Sequence, residues 1–83
     1  MKNIKLNYTV DMPAIGARLR MLRNAKSITM QEMADIFDIS RQTLYKWEYG
    51  KTVPDHSNLH ALKDFFGVSS DFILFGEGQN CAA

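Results

Sequence analysis

The amino-acid sequence predicts a single all-α domain of five helices over residues 13–76, with a candidate β-strand before it. Five segments carry apolar residues at helical spacing. Ser, Thr or Asp precedes these segments and glycine follows three of them, as expected for residues that cap helices. A chain of 83 residues holds one core, and 46% hydrophobic residues with one Trp, three Tyr and five Phe favour a folded globule over disorder.

Residues 4–10, before the first helix, alternate between apolar and polar side chains as a β-strand does. Ile4, Leu6, Tyr8 and Val10 fall on one side of this strand. The sequence offers no second strand, and an unpaired strand edge recruits another chain. We therefore expect either antiparallel pairing with the same segment of a second copy or a flexible arm.

The first helix is predicted to begin around Pro13, whose missing N–H costs nothing in a first turn, after a cap at Asp11 or Met12. It should end near Lys26. Its buried stripe is predicted at Ile15, Leu19 and Leu22. Its solvent-exposed face is predicted to be basic and to comprise Arg18, Arg20, Arg23 and Lys26.

The second helix begins with a capping box, because Thr29 can accept from the N–H three residues on and Glu32 can reach back to Thr29. Apolar residues then recur at helical spacing, at Met33, Ala34 and Phe37. The pattern breaks at Asp38, and Ser40 is a second N-cap. The sequence therefore predicts two short helices joined by a tight turn.

The third helix, residues 40–49, has a narrow apolar stripe of Leu44 and Trp47, and Gly50 ends it. Its outward positions carry long or hydrogen-bonding side chains, namely Arg41, Gln42, Thr43, Tyr45 and Lys46. Taken singly, these could be ordinary solvated residues. On the second helix of such a pair, directly after an N-cap, they indicate a helix-turn-helix that reads DNA.

The fourth helix is predicted from Asp55 or Ser57 to Gly67, and the fifth over residues 71–75, ended by Gly76. Inward positions of the fourth helix are Leu59, Leu62 and either Phe65 or Phe66. The fifth helix ends in more apolar residues than a small globule can bury. We expect Phe72 and Phe75 at a twofold interface, the alternative being that they pack beneath the fourth helix. Residues 77–83 are predicted to form a frayed tail.

Other classes of protein are disfavoured by the composition. The single cysteine, Cys81, permits no internal disulfide, which suits the cytoplasm, and no apolar run approaches the ~20 residues of a membrane span. His56, His60 and Asp64 share one helix face but are strung over two turns, so the three cannot all reach one metal ion, although the two histidines could. We expect a solvated surface there and no metal site. The sequence lacks the common patterns of catalytic nucleophiles, zinc ligands and phosphate loops, so we expect neither an enzyme nor a cofactor.

The charge is unevenly distributed, although the net charge is only +1. Residues 18–51 carry seven basic and four acidic side chains, a local +3, whereas residues 52–83 carry one basic and four acidic side chains, a local −3. This polarity would orient the molecule in the field of a polyanion. The alternative is a chance asymmetry of a solvated surface.

Three segments carry a resemblance to a known family. IGARLRMLR, ITMQEMADIFDISRQTLYKWEYGKTVP and LKDFFGVSSDFILFG together resemble the five-helix domain of the lambda-repressor-like, Xre-type transcription regulators, from about Ile15 to Gly76. Several loose motifs coincide here in order and spacing.

The resemblance implies a role for individual residues. Arg41, Gln42 and Lys46 fall where the family reads base edges. Ser40, Thr43 and Lys51 fall where the family contacts phosphate. Apart from the resemblance, Thr29 and Tyr45 are further candidates for phosphate contact, although Tyr45 and Tyr49 could instead simply lie on the surface. Arg23 and Glu48 fall where an ion pair braces the reading helix. Two positions depart from the family pattern, since Met30 replaces a phosphate-binding Gln and Asp38 replaces a Gly in the turn.

We therefore predict a sequence-specific DNA-binding transcriptional regulator, a repressor that binds a pseudo-palindromic operator in double-stranded DNA as a homodimer through residues 40–49. The dimer would use Phe72 and Phe75 together with residues 1–12, unless those residues form an arm that wraps the DNA. A toxin or an antirepressor is the expected kind of protein partner. The alternatives are the antitoxin of a toxin–antitoxin pair and a protein-interaction module that no longer binds DNA.

Overall fold

The computed structural model describes residues 10–77, and five helices occupy this part of the chain. They are α1 (Met12–Ala25), α2 (Met30–Phe37), α3 (Arg41–Glu48), α4 (His56–Phe66) and α5 (Ser70–Phe75). Within residues 10–77 no β-strand is present. The all-α prediction is therefore confirmed, whereas the strand predicted over residues 4–10 lies outside the described residues except for Val10, which is exposed.

Each helix begins at a side chain that accepts a hydrogen bond from the backbone N–H three residues on. The capping residues are Asp11, Thr29, Ser40, Asp55 and Ser69. At α2 the reciprocal bond is also present, because Glu32 Oε1 accepts from the N–H of Thr29 at 2.8 Å. The predicted capping box is thus confirmed, and so are the starts of the helices.

The core lies where all five helices meet, and the predicted stripes of α1, α2 and α3 all contribute to it. Its buried members are Ile15, Leu19, Leu22, Met33, Ala34, Leu44, Trp47, Leu62, Phe66, Val68 and Ile73. Around it, Phe37 meets Phe65 edge to face with ring centroids 5.5 Å apart, and Phe65 meets Phe66 in the same way at 4.9 Å. Such T-shaped contacts suit the ring quadrupoles and fix α2 against α4.

The turn between α2 and α3 depends on Asp38, which ends α2 in the left-handed conformation, with φ 56° and ψ 47°. Asp reaches this region at lower cost than most residues that carry a Cβ. The N–H of Ile39 then donates to the carbonyl of Ala34 at 3.0 Å, closing the turn so that Ser40 can start α3. Asp38 therefore replaces the family glycine in the conformation that glycine would adopt.

The contact between α1 and α3 is close enough to require a residue without a side chain. Gly16 is buried, and a Cβ there would lie 2.7 Å from the carbonyl oxygen of Trp47. Because that oxygen belongs to the backbone of α3, it cannot move aside as a flexible side chain would. Gly16 thereby lets α1 support the end of α3 directly.

The prediction that the arginines of α1 form a solvent-exposed face is wrong for Arg18, Arg20 and Arg23, each of which donates to another part of the protein. Arg18 donates from Nε to the carbonyl of Ile73 at 2.9 Å and from Nη2 to that of Leu74 at 3.1 Å. Arg20 donates to the carbonyl of Glu48. These carbonyls lie in the last turns of α5 and α3, where intrahelical donors are missing and the helix dipole favours a cation.

Candidate nucleic-acid interface

The exposed side of α3 carries the three side chains that the sequence assigns to base reading. Arg41, Gln42 and Lys46 are all exposed, whereas Leu44 and Trp47 on the opposite side are buried. The buried stripe fixes the roll of α3, so its donors project away from the core. This arrangement presents guanidinium, amide and ammonium donors to solvent.

The residues assigned to phosphate lie at the two ends of α3 and at the start of α2. Thr29 and Ser40 are exposed but use their side-chain oxygens as helix caps. Ser40 Oγ also donates to Thr43 Oγ1 at 2.9 Å, which leaves the hydroxyl hydrogen of Thr43 for an external acceptor. Lys51 follows α3 and is exposed. Its backbone is held in place, because its N–H donates to the carbonyl of Lys46 at 2.8 Å.

Arg23 and Glu48 form a bidentate ion pair between α1 and α3. Arg23 Nε lies 2.8 Å from Glu48 Oε2, and Arg23 Nη2 lies 3.0 Å from Oε1. Arg23 Nη1 also donates to the carbonyl of Ile28 at 3.0 Å, so the same guanidinium holds the turn between α1 and α2. Its hydrogen bond with Glu48 raises the pKa of Arg23 above the ordinary arginine value, so Arg23 stays charged at any working pH.

The C-terminal end of α3 carries a stack of three side chains that the sequence did not reveal. The rings of Tyr45 and Tyr49 stack with their centroids 4.6 Å apart, and the guanidinium of Arg20 lies 4.9 Å from the Tyr49 centroid. The spacing of four residues between Tyr45 and Tyr49 is the local signal for the stacked rings, because it places both on one side of the helix. Arg20 joins them only through the packing of α1 against α3.

The residues predicted at a twofold interface are only partly described. Phe72 and Phe75 on α5 are half-buried, and Phe72 packs against the core, as does the fully buried Ile73 between them. Ile4, Leu6 and Tyr8 lie outside the described residues. The interface therefore stays a prediction.

The histidines of α4 lie on an exposed surface. His60 Nε2 is 3.6 Å from Asp64 Oδ2, and both side chains are more than half exposed. Within residues 10–77, no group of three or more His, Cys, Asp or Glu side chains could hold a metal ion. No helix in the same range is long and apolar enough to cross a membrane.

Comparison with known proteins decides the family. A family model described as helix-turn-helix matches residues 19–73, which run from the middle of α1 into α5 and include the whole α2–turn–α3 unit. The chain belongs to the lambda-repressor-like, Xre-type helix-turn-helix family. This confirms the family inferred from the three sequence segments.

Curated relatives of this helix-turn-helix chain are transcription regulators. It is 44% identical over 61 residues to the SPbeta prophage-derived uncharacterized HTH-type transcriptional regulator YonR of Bacillus subtilis, an alignment that covers 74% of this chain and 56% of YonR. It is 37% identical over 60 residues to the HTH-type transcriptional activator BcrR of Enterococcus faecalis, an alignment that covers 72% of this chain and 29% of BcrR. It is 35% identical over 63 residues to the HTH-type transcriptional regulator DicA of Escherichia coli, an alignment that covers 76% of this chain and 47% of DicA.

The alignments reach about half or less of each relative's length. They support DNA binding and transcription regulation as the function of this domain. Because one of these relatives is an activator, the comparison does not fix the direction of regulation.

Proposed function

We propose that this protein is a sequence-specific transcriptional repressor of the cytoplasm that binds a pseudo-palindromic operator as a homodimer, with α3 in the major groove. The observation that carries the proposal is the exposed row of Arg41, Gln42 and Lys46 on a helix whose other side is buried in the core. Base reading needs a helix held at a fixed orientation, and the buried stripe of Leu44 and Trp47 holds α3 with these residues outward.

The chemistry of these side chains matches the purine edges of the major groove. Arg donates bidentately to O6 and N7 of guanine, and Gln pairs with N6 and N7 of adenine. Lys46, one helical turn after Gln42, supplies a third donor. Phosphate contacts from Thr29, Ser40, Thr43, Tyr45 and Lys51 would set the register of α3, because they carry affinity without sequence information.

Two copies of the chain are required for a pseudo-palindromic site. The two α3 helices would enter successive major grooves about 34 Å apart. We assign the twofold contact to Phe72 and Phe75 with residues 4–10. Occupancy of the operator would exclude polymerase, and a protein partner such as an antirepressor or toxin would control that occupancy.

A gel-shift titration of the full chain tests the proposal. The probes are the duplex recovered by selection from a random DNA pool and an unselected duplex, each at several salt concentrations. We expect the selected duplex to bind at least about 10³-fold more tightly, with log K falling linearly as log salt rises. Absence of DNA binding at low salt would contradict the proposal and favour the protein-interaction module.

A further inference from the structure

The exposed face of α3 contains an apolar group among its charged donors. With about 3.6 residues per turn, Tyr45 projects between the directions of Arg41 and Gln42. Its side chain is 48% exposed and Tyr49 is 49% exposed. An aromatic ring in this position faces the same partner surface as the base-reading side chains.

The ring of Tyr45 is restrained by the ring of Tyr49, which in turn contacts Arg20. Tyr49 lies parallel to it within 29°, at a centroid separation of 4.6 Å. Arg20 covers Tyr49 and is itself fixed by its hydrogen bond to the carbonyl of Glu48. Tyr49 therefore lies against both Tyr45 and Arg20, and the Tyr45 ring, which is about half exposed, keeps surface that a ligand can contact.

The major groove offers one apolar group for such a ring to contact. Guanine, adenine and cytosine present donors and acceptors there, whereas thymine also presents its C5-methyl group. Because the ring is already fixed by the stack, contact with a methyl costs little side-chain entropy. The methyl lies on the side of thymine nearest its own backbone, so the hydroxyl of Tyr45 can still reach a phosphate.

Resting on the function proposed above, we infer that Tyr45 is a specificity residue that reads a thymine methyl in each operator half-site, with Tyr49 and Arg20 as positioning residues. Tyr45 follows Arg41 by four residues, about 6 Å along the helix axis. Base pairs are spaced by about 3.4 Å, so the thymine lies within about two base pairs of the guanine that Arg41 reads.

Replacement of thymine by uracil in the selected duplex tests the inference, because uracil pairs identically and lacks only the methyl. Each thymine of one half-site is replaced in turn, and the full chain is titrated against each duplex. One replacement, within two base pairs of the guanine whose preference Arg41→Ala relaxes, should weaken binding about fourfold, the worth of one buried methyl. The others should leave affinity nearly unchanged.

Variants of Tyr45 separate the ring from the hydroxyl. Tyr45→Ala should lower the thymine-to-uracil affinity ratio to about one, whereas Tyr45→Phe should keep the ratio and weaken binding to all duplexes equally. Lys51→Ala is the matched control and should also keep the ratio.

Equal affinity for every uracil duplex, or an unchanged ratio in Tyr45→Ala, would overturn the inference, and so would a selected half-site without thymine near that guanine. If selection yields no preferred sequence, the proposed function fails and this inference fails with it. A protein that prefers one sequence yet ignores the methyl contradicts only the role of Tyr45.

Discussion

At the scale of single residues, Glu48 is the charged side chain that the described core buries completely. A carboxylate without water must be paired, and Arg23 supplies both hydrogen bonds from the other side of the α1–α3 contact. Arg23 also donates to the carbonyl of Ile28, so one guanidinium links α1, α3 and the turn between α1 and α2. This pair joins α3 to α1 inside the core.

Truncation of this pair should be costly and asymmetric. Arg23→Ala should lower the free energy of unfolding by about 3–5 kcal/mol, because it strands a buried charge. Glu48→Ala should cost less, since Arg23 keeps Ile28 and is 13% exposed. Urea titrations of both variants and the double variant measure the coupling, with Lys51→Ala, which removes an exposed side chain, as a control near zero. Additive effects would show that the two residues do not act as a pair.

The side chains on α3 and around it show how much of the candidate site could be predicted from the sequence. The outward direction of Arg41, Gln42 and Lys46 follows from local sequence, since an N-cap and the stripe of Leu44 and Trp47 settle which positions face outward. Their role in base reading came from the family resemblance and stays a prediction. Arg20 could not be predicted, because its partners, Tyr49 and the carbonyl of Glu48, are more than 25 residues away along the chain. Its role depends on the packing of α1 against α3.

At the scale of elements, the helix-turn-helix depends on a left-handed residue that is not glycine. Asp38 adopts this conformation, with φ 56°, at the end of α2. Ser27, in the turn after α1, also has a positive φ, of 57°. The left-handed region costs an ordinary residue about 1–2 kcal/mol, and Asp somewhat less. The turn is therefore formed at the expense of some stability.

Asp38→Gly should raise the free energy of unfolding by up to about 1 kcal/mol, because glycine adopts this conformation without a Cβ clash. Asp35→Gly is the matched control, an exposed Asp inside α2, and it should lower stability by about 0.5–1 kcal/mol. Thermal or urea unfolding of the two variants measures both changes. A loss of stability in Asp38→Gly comparable to that in Asp35→Gly would contradict this account of the turn.

The starts of the helices were predictable from sequence, because a cap and its N–H partner are three residues apart. Gly67 and Gly76 were predictable as helix ends for a similarly local reason, because glycine tolerates the positive φ that both adopt there. The burial of α5 was harder to predict. All three of Phe72, Ile73 and Phe75 are apolar, so their different burial depends on the direction each faces, which is set by where α5 meets α1 and α4.

At the scale of the whole molecule, the positive charge of residues 18–51 serves two purposes. Arg18, Arg20 and Arg23 donate to carbonyls or a carboxylate of the protein itself. The exposed cations are Lys26 and three on α3 or directly after it, namely Arg41, Lys46 and Lys51. The basic surface available to DNA is therefore smaller than the sequence count indicates, and it is concentrated around α3.

The assembly of two copies is tested by deletion of residues 1–10, which leaves the Asp11 cap of α1 in place. If these residues pair across a twofold axis, the deletion should weaken dimerisation in the absence of DNA. Sedimentation equilibrium of the truncated and full chains measures it, and Lys5→Ala, on the opposite side of the predicted strand, should have little effect. An unchanged monomer–dimer constant with weaker DNA binding would instead support the arm.

If α3 reads bases while the residues beside it anchor the DNA backbone, alanine variants of the two kinds of residue should differ in their sequence preference. Affinities of the full chain, Arg41→Ala and Lys51→Ala are measured for the selected duplex and for random DNA. Arg41→Ala should lose about 1–3 kcal/mol on the selected duplex and lose preference at one base pair. Lys51→Ala should weaken binding to both DNAs equally and reduce the salt slope by about one. An Arg41→Ala protein that binds both DNAs with an unchanged affinity ratio would contradict the claim.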